Sequence, residues 1–309
     1  MTLQQLKYAV AVADTKNITE ASRRVFISQP SLTAAIQELE NEMGITIFSR
    51  SNKGVTITNE GDDFLSYARQ VLEQAALLEE RFKSENGSAG NPIFSVSCQH
   101  YSFAVNAFVD VIRKFGDNEY NFTLRETQTH EIIEDVAHLK SEVGVLYLSN
   151  HNENVITKLI KKNNLVFEPL FTSKLHVFIS TKNPLAKKKS IKLEELASYP
   201  CLTYEQGDFN SFYYAEEPLT EIDFDCPKNI QVRDRATLFN LLIGLDGYTI
   251  CSGIISHELN GPEIIARPLD CNEHMTVGII TKKGMSLSRY ACAYIEAIRQ
   301  VQARSRLKP

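Results

Sequence analysis

Side chains that can read DNA bases cluster near the amino terminus. They fall in the first turns of a predicted helix, which Ser28 can cap and which tolerates Pro30, because the first amides of a helix have no helical partner. Gln pairs with adenine through two hydrogen bonds, Ser and Thr bond several bases, and cations bind phosphate or the minor groove. The residues expected to contact DNA are Gln29, Pro30, Ser31, Thr33, Arg50 and Lys53.

A second group of polar side chains stands where predicted strands end and helices begin. In an open α/β sheet, ligands bind at the carboxyl ends of strands and beside helix amino termini, whose free amides favour anions. The candidate effector-binding residues are Gln99, His100, Tyr101, Ser102, Thr127, Gln128, Thr129, Tyr204, Gln206 and Arg235. As a set, they predict a pocket for a small molecule, with an anion favoured by the amide ends.

Three helices and a two-stranded wing must position the first group. Thr2 and Gln5 form a predicted capping box for the first helix, Thr19 can cap the second, and Gly44 is expected to end the third. The expected elements are helices over 3–15, 20–25 and 29–43 and strands over 45–48 and 55–57. Two short helices joined by a tight turn and followed by a wing are the pattern of a winged helix-turn-helix DNA-binding domain over 1–60, although a common helical triplet whose polar face is only solvated would show it too.

A long helix over 58–83 follows, with Thr58 as its expected cap. Apolar residues spaced alternately by four and three form a heptad seam along it. The seam residues are Phe64, Ala68, Val71, Ala75, Leu78 and Phe82. A helix packed on its own domain could show the same pattern, but the length and regularity favour a partner helix. We therefore expect a linker helix over 58–86 that makes a dimer, so that two recognition helices read a two-fold site.

Beyond a polar, glycine-rich hinge, strands and helices alternate. The stretch over 93–148 has the strand–helix–strand–helix–strand order of a doubly wound α/β domain, and its last strand is apolar throughout, as buried parallel strands are. Two Pro-Leu pairs, Pro169-Leu170 and Pro268-Leu269, mark two expected crossovers between lobes. The expected effector domain covers 91–309, with lobe one over about 91–166 and 270–309 and lobe two over about 167–269.

The amino-terminal pattern resembles the signature of the LysR-type transcriptional regulators. The matching residues are Ala21-Ser22, Ser28-Gln29-Pro30-Ser31-Leu32-Thr33, Ile36, Leu39-Glu40, Gly44, Phe48, Arg50, Gly54-Val55-Thr56-Ile57-Thr58 and Gly61. Looser landmarks continue to Gln300, among them Asn183-Pro184-Leu185-Ala186 and Leu287-Ser288. The chain departs from the family at Ala34 and Ala35, where polar or basic residues are frequent, and at Lys53, where Arg is usual.

The resemblance implies a fold and a set of partners. The fold would be α/β: a winged helix-turn-helix and linker helix, then a two-lobed effector domain like a periplasmic binding protein. Gln29, Pro30, Ser31 and Thr33 would line the recognition helix, and Arg50 would lie on the wing. The partners would be double-stranded promoter DNA, a small-molecule effector between the lobes, and further copies of the chain in a homodimer or homotetramer.

The whole-chain composition limits the alternatives. The chain of 309 residues is longer than one hydrophobic core usually organises, so we expect more than one domain. The net charge of −5 means that any DNA binding must come from a local surface and not from the overall charge. We find no signal peptide and no apolar run long enough for a membrane span, and expect a cytoplasmic protein without cofactor or metal. The six cysteines are scattered and are expected to be free thiols in a reducing compartment.

Three other functions compete with this interpretation. A solute-binding protein without DNA function would leave the amino-terminal module unexplained. An enzyme is disfavoured because the sequence has no phosphate loop, nucleophile elbow or zinc-protease motif. A redox-sensing regulator of the same family would use a cysteine pair, for which Cys201 and Cys226 are the candidates by position.

Overall fold

The computed structural model describes residues 1–51, 54–83, 92–116, 119–209, 211, 213–218, 228–256 and 260–305. These residues form two compact units, Met1–Gly90 and Asn91–Pro309, which are described one at a time.

The first unit begins with the three predicted helices. They are α1 (Leu3–Thr15), α2 (Ile18–Arg24) and α3 (Gln29–Met43). The capping box of α1 is confirmed, since the Gln5 amide donates to Thr2 Oγ1 over 3.1 Å and the Thr2 amide donates to Gln5 Oε1 over 2.9 Å. The prediction that Thr19 caps α2 is wrong. Asn17 caps it instead, accepting from the Glu20 amide, as suits a residue type that ranks above Thr at this position.

The wing follows α3, which Ser28 caps and which ends at Gly44 with φ of 68°. It is an antiparallel pair, β1 (Phe48–Ser51) and β2 (Gly54–Ile57). The first strand starts later than the predicted 45–48, because Glu40 Oε1 accepts from the amides of Ile47 and Phe48 over 2.7 and 3.0 Å. Those amides are thereby satisfied by a side chain of α3.

The long helix α4 (Asn59–Lys83) packs its first half against this domain. Its cap is confirmed, because the Gly61 amide donates to Thr58 Oγ1 over 2.9 Å. A Cβ on Gly61 would collide with the Ile47 carbonyl, so glycine allows the helix to start against the wing. Leu65 completes a core that also holds Leu32 of α3 and other apolar residues of α1 to β1.

The second unit contains two sheets. Its strands are β3 (Ile93–Cys98), β4 (Asn121–Glu126), β5 (Val143–Leu148), β6 (Leu165–Lys174), β7 (His176–Ser180), β8 (Cys201–Tyr204), β9 (Asn229–Val232), β10 (Tyr248–Cys251), β11 (Ile264–Pro268) and β12 (His274–Lys282). One sheet has the order β4-β3-β5-β12-β6 and the other β11-β7-β10-β8-β9. We call the parts built on them lobe one and lobe two.

Helices cover both sheets. They are α5 (Ser102–Phe115), α6 (Thr129–Ala137), α7 (Glu153–Lys162), α8 (Leu193–Leu196), α9 (Arg235–Gly244) and α10 (Arg289–Ser305). The strand–helix–strand–helix–strand order predicted over 93–148 is confirmed by β3, α5, β4, α6 and β5. No helix in the described part of the chain is both long and apolar enough to cross a membrane.

The boundary between the lobes lies later than predicted. Lobe two was expected to begin near 167, but β6 runs to Lys174 and pairs with β12 along its whole length in lobe one. The chain crosses at the fully buried Leu175, and β7 then starts lobe two. Two elements, α7 and β9, were not predicted. In the four residues of β9, Ile230 and Val232 alternate with polar residues, a pattern too short to stand out.

Candidate nucleic-acid interface and interlobe cleft

The amino end of α3 presents its predicted DNA-contacting residues to solvent. Gln29, Pro30 and Ser31 are exposed, and Thr33 is half-buried. Gln29 Oε1 accepts a hydrogen bond from Thr19 Oγ1 over 3.2 Å, which orients the amide without burying it. Ser31 Oγ lies 2.7 Å from Ser28 Oγ. This end of the helix therefore offers a polar, accessible edge that can enter a groove.

Cations flank this edge. Arg23 and Arg24 are exposed at the end of α2, and Arg24 lies 3.7 Å from Asp14. These two arginines were not among the predicted contacts, although a basic last turn next to the recognition helix was a usable signal. Lys53 lies outside the described residues, and Arg50 is described only as part of the β1 backbone.

The seam on α4 divides into two parts. Phe64 packs against the core of the first unit and Ala68 is only 3% exposed, so these two serve their own domain. Val71 and Leu78 are 43% and 61% exposed, and with the half-buried Ala75 they form an apolar stripe. The exposed Tyr67, which was not predicted to belong to the seam, extends the stripe. The side chain of Phe82 lies outside the described part.

In the second unit, five of the predicted effector-binding residues line one cavity of about 40 Å³ between the lobes. They are His100, Tyr101, Ser102, Tyr204 and Arg235. The remaining lining residues are Phe178, Glu216, Glu217, Phe239, Thr249, Ile250, Cys251, Ser252, Ile254 and Met275. The cavity has room for a few waters at most, and is far smaller than the roughly 300 Å³ or more of a pocket for a larger ligand.

Three further predicted residues hold the turns of the cleft together. Gln99 is fully buried, and its amide donates to Thr129 Oγ1 over 2.7 Å and accepts from Tyr101 OH over 2.8 Å and from the Tyr147 amide over 3.1 Å. Gln206 Oε1 accepts from the Thr129 amide over 3.1 Å. These groups are already paired with the chain, so their role in the structure is to position the cleft residues.

Thr127 and Gln128 lie away from the cavity. Thr127 Oγ1 donates to Glu131 in the first turn of α6. Gln128 packs against Gly207, which has φ of 56° and approaches the Gln128 amide so closely that a Cβ there would crowd it. The signal that suggested both residues, their position after a strand, does not say which way a side chain points.

Two carboxylates at the centre of the cleft, Glu216 and Glu217, were not predicted from the sequence. Glu216 is 6% exposed and accepts from the His100 amide over 2.9 Å, and its two oxygens lie 3.0 Å from His100 Nδ1. Glu217 is 8% exposed and accepts from the Tyr204 amide over 3.0 Å. Burial, with Glu216 beside it, raises the pKa of Glu217 well above its ordinary value. An acidic pair in an irregular segment is normally taken as surface.

His100 joins the lobes. Its ring stacks on Tyr204 at 4.0 Å between centroids, and its Nε2 lies 3.1 Å from the Arg233 carbonyl oxygen. Burial alone would lower the pKa of His100, but the Glu216 carboxylate outweighs burial and raises it. The protonated ring is thereby stabilised where the two lobes meet.

A second charged pair spans the cleft. Arg235 Nη2 lies 3.3 Å from Glu126 Oε1, an ion pair whose alignment is too poor for a hydrogen bond. Arg235 Nη1 is buried and has no hydrogen-bond partner among the described residues. Burial raises the pKa of Glu126, and Arg235 opposes that rise. Arg235 therefore brings an unsatisfied donor with positive charge to a cavity-lining position.

The two cysteines considered for redox sensing are described only in part. Cys201 is buried in β8, and Cys226 lies outside the described part. Burial raises the pKa of the Cys98 and Cys251 thiols, which keeps them protonated and unreactive. Within the same part of the chain, no group of three or more His, Cys, Asp or Glu side chains could hold a metal ion.

The comparisons with known proteins agree with this architecture. The family model described as a bacterial regulatory helix-turn-helix protein of the lysR family matches residues 3–62, and the LysR substrate binding domain matches 100–303. A probable RuBisCO transcriptional regulator from Trieres chinensis is 30% identical over 93% of this chain and 88% of that protein.

Solved structures share the fold. A full-length OxyR variant from Pseudomonas aeruginosa superposes with a TM-score of 0.64 at 22% identity, over 97% of this chain and 98% of that one. Full-length CbnR complexed with its target DNA has a TM-score of 0.54 at 18% identity, over 97% of this chain and all (100%) of that one. The chain belongs to the LysR family, and it is a DNA-binding transcriptional regulator with an effector-binding domain.

Proposed function

We propose that this regulator binds a small anionic effector in the cleft between its lobes and that the effector changes its binding to promoter DNA. The observation that carries the proposal is the buried Nη1 of Arg235, a charged donor at the cavity that no described residue satisfies. An unsatisfied buried guanidinium donor is costly, and an anion would satisfy it. Ser102 and Ser252 add hydroxyl groups to the same lining.

The proposed DNA contacts follow from the exposed end of α3. Gln29, Ser31 and Thr33 would meet base edges in the major groove, with Pro30 against the backbone, while Arg50 and Lys53 of the wing would meet phosphate or the minor groove. Arg23 and Arg24 add exposed cations beside the helix. Two copies of this surface are needed to read a two-fold site.

The proposed dimer uses the exposed stripe on α4. Val71, Ala75 and Leu78 repeat at heptad spacing, which is the pattern of a helix that packs on a partner helix. Tyr67 would join this interface at its amino-terminal end. Apolar side chains this exposed on a long helix gain more from a partner than from water.

Neither a catalytic role nor a cofactor is proposed for the cleft. The proteins of this family named above are regulators. His100 and Glu216, which could serve as acid and base in another setting, are bonded to each other and to backbone groups. Their geometry serves to join two lobes.

The test is DNA binding by the full chain, measured by fluorescence anisotropy on promoter duplexes, with single small carboxylates and phosphates added in turn. We expect one compound to change the affinity, and Arg235→Gln to abolish that response. The matched control is Arg233→Gln, which removes an exposed guanidinium two positions away that pairs with Glu205. Equal responses in both variants, or no response of the wild type to any anion, would overturn the proposal.

A further inference from the structure

The cleft already contains a carboxylate in a bound geometry, and it belongs to the chain itself. The Glu216 side chain reaches the turn that precedes α5, where it accepts from the His100 amide over 2.9 Å and contacts the ring at 3.0 Å. Tyr101, the residue before α5, makes no capping hydrogen bond with its side chain. A backbone amide in the turn before a helix together with a protonated imidazole gives a carboxylate one neutral and one charged donor.

The protonation of His100 follows from its partners. Nδ1 faces a carboxylate and Nε2 faces the Arg233 carbonyl oxygen, and both of these groups are acceptors. Both ring nitrogens therefore carry hydrogen in this arrangement. Glu126 also favours the charged ring, and the raised pKa of His100 agrees with it. The Glu216 carboxylate thus receives one amide and one charged donor from a single residue.

Hydrogen bonds from both lobes hold the segment that carries Glu216 in place. In lobe one, Thr129 Oγ1 donates to the Tyr214 carbonyl over 2.8 Å and Tyr147 OH donates to the Ala215 carbonyl over 3.0 Å. In lobe two, the Tyr204 amide donates to Glu217. The segment is therefore seated in the cleft as a peptide ligand would be.

The small volume of the cavity beside Glu216 limits how an anion from solution could bind at His100. The cavity beside Glu216 measures about 40 Å³, and Glu126 and Glu217 already stand near. A further carboxylate at His100 would add like charge to a buried site and would find the amide occupied. Exchange of one carboxylate for another keeps both the charge and the hydrogen bonds.

We infer that the His100 turn is a carboxylate-binding site that the chain fills with its own Glu216, and that a carboxylate effector binds there by displacing this side chain. Glu216 then acts as a built-in competitor at high effective concentration, which sets the threshold for the effector. This inference rests on the proposed effector site in the cleft and names the exchange by which that site is opened.

The experiment is thermal unfolding of the full chain with acetate as the probe, against chloride at equal ionic strength. Glu216→Ala is expected to lower the melting temperature by roughly 3–8 °C, as the loss of charge-assisted hydrogen bonds does in a domain of this size. Acetate should restore part of this loss in a concentration-dependent way. The wild type and the control Glu194→Ala, which removes an exposed carboxylate, should show no such gain.

Glu216→Gln provides a second measurement if the alanine variant folds poorly. It keeps the shape and removes the charge, so the pKa of His100, followed by NMR, should fall below its wild-type value. Unchanged His100 titration in Glu216→Gln, or equal acetate effects in wild type and Glu216→Ala, would overturn the inference. If acetate rescue fails while wild-type DNA binding still responds to an anion that needs Arg235, the proposed function stands and only the self-liganded site falls.

Discussion

The polar side chains of α3 and those of the cleft are alike in type but opposite in setting. Gln29 and Ser31 stand in solvent at a helix end, with short local hydrogen bonds to Thr19 and Ser28. Gln99 and Glu216 are buried, and their partners come from distant parts of the second unit. One surface can meet a partner as it is, whereas the other must first give up bonds that it already has.

This difference has consequences for energetics. Exposed polar groups contribute little to folding stability, so substitutions at these positions can change base recognition without unfolding the domain. Buried groups that are removed leave their partners unsatisfied, so substitutions there act on folding as well as on binding. The same residue type, glutamine, occurs in both settings and allows a direct comparison.

The largest expected effect is the loss of folding stability when Gln99 is replaced. Gln99→Ala removes the acceptor of Tyr147 N–H and Tyr101 OH and one of the two partners of Thr129 Oγ1, and it should lower the free energy of unfolding by about 3 kcal/mol or more. Gln29→Ala should change it by less than about 0.5 kcal/mol. Urea unfolding of the full chain measures both. Similar losses in the two variants would contradict the contrast between the settings.

A charge on the exposed stripe of α4 should separate the subunits. Leu78→Glu places a carboxylate in the expected seam, and sedimentation should show monomers where the wild type shows dimers or larger assemblies. Ala76→Glu, at an exposed position on the other side of the helix, is the control and should leave assembly intact. A Leu78→Glu variant that sediments as the wild type does would refute the interface.

A smaller, pH-dependent effect is expected from Glu217. Its pKa is raised in the folded state, so its stabilising contribution is present below the unfolded pKa and is lost as pH rises through the folded value. Glu217→Gln keeps the acceptor for the Tyr204 amide and does not ionise. The free energy of unfolding of the variant, relative to that of the wild type, should therefore rise with pH between the unfolded and the folded pKa of Glu217. The expected slope is on the order of 1 kcal/mol per pH unit.

Unfolding curves at several pH values test this, with Glu194→Gln as the exposed control. A constant difference between Glu217→Gln and the wild type over the whole range would show that the pKa of Glu217 is the same in the folded and unfolded protein.

The two regions also differ in how far the sequence predicts them. The α3 surface depends on contacts within a few residues, such as the Ser28 cap and Gly44, and these predictions are confirmed. The prediction of the α2 cap was wrong because Asn17, and not Thr19, occupies the capping position. Local hydrogen-bonding rules are enough where partners are neighbours in sequence.

The cleft depends on partners far apart in sequence. His100 meets Glu216 and Arg233 only after two sheets have formed and the chain has crossed between them at Leu175. His100 after a predicted strand and Arg235 before a predicted helix were placed in one candidate pocket, because ligands bind at strand ends and beside helix amino termini. No pattern in the neighbouring sequence indicates that Glu216 is buried. The pairing of β6 with β12, which places the lobe boundary later than predicted, also joins residues that are far apart in sequence.

Selection of sequences from a randomised duplex DNA pool, by the full chain and by Gln29→Ala, tests directly whether α3 reads bases. The wild type should enrich a two-fold motif, and the variant should lose preference at the adenine-containing positions, with about a 10- to 100-fold weaker affinity for that motif. Affinity for scrambled DNA should stay the same. Enrichment of the same motif by both proteins with equal strength would contradict the role of α3 as the base-reading helix.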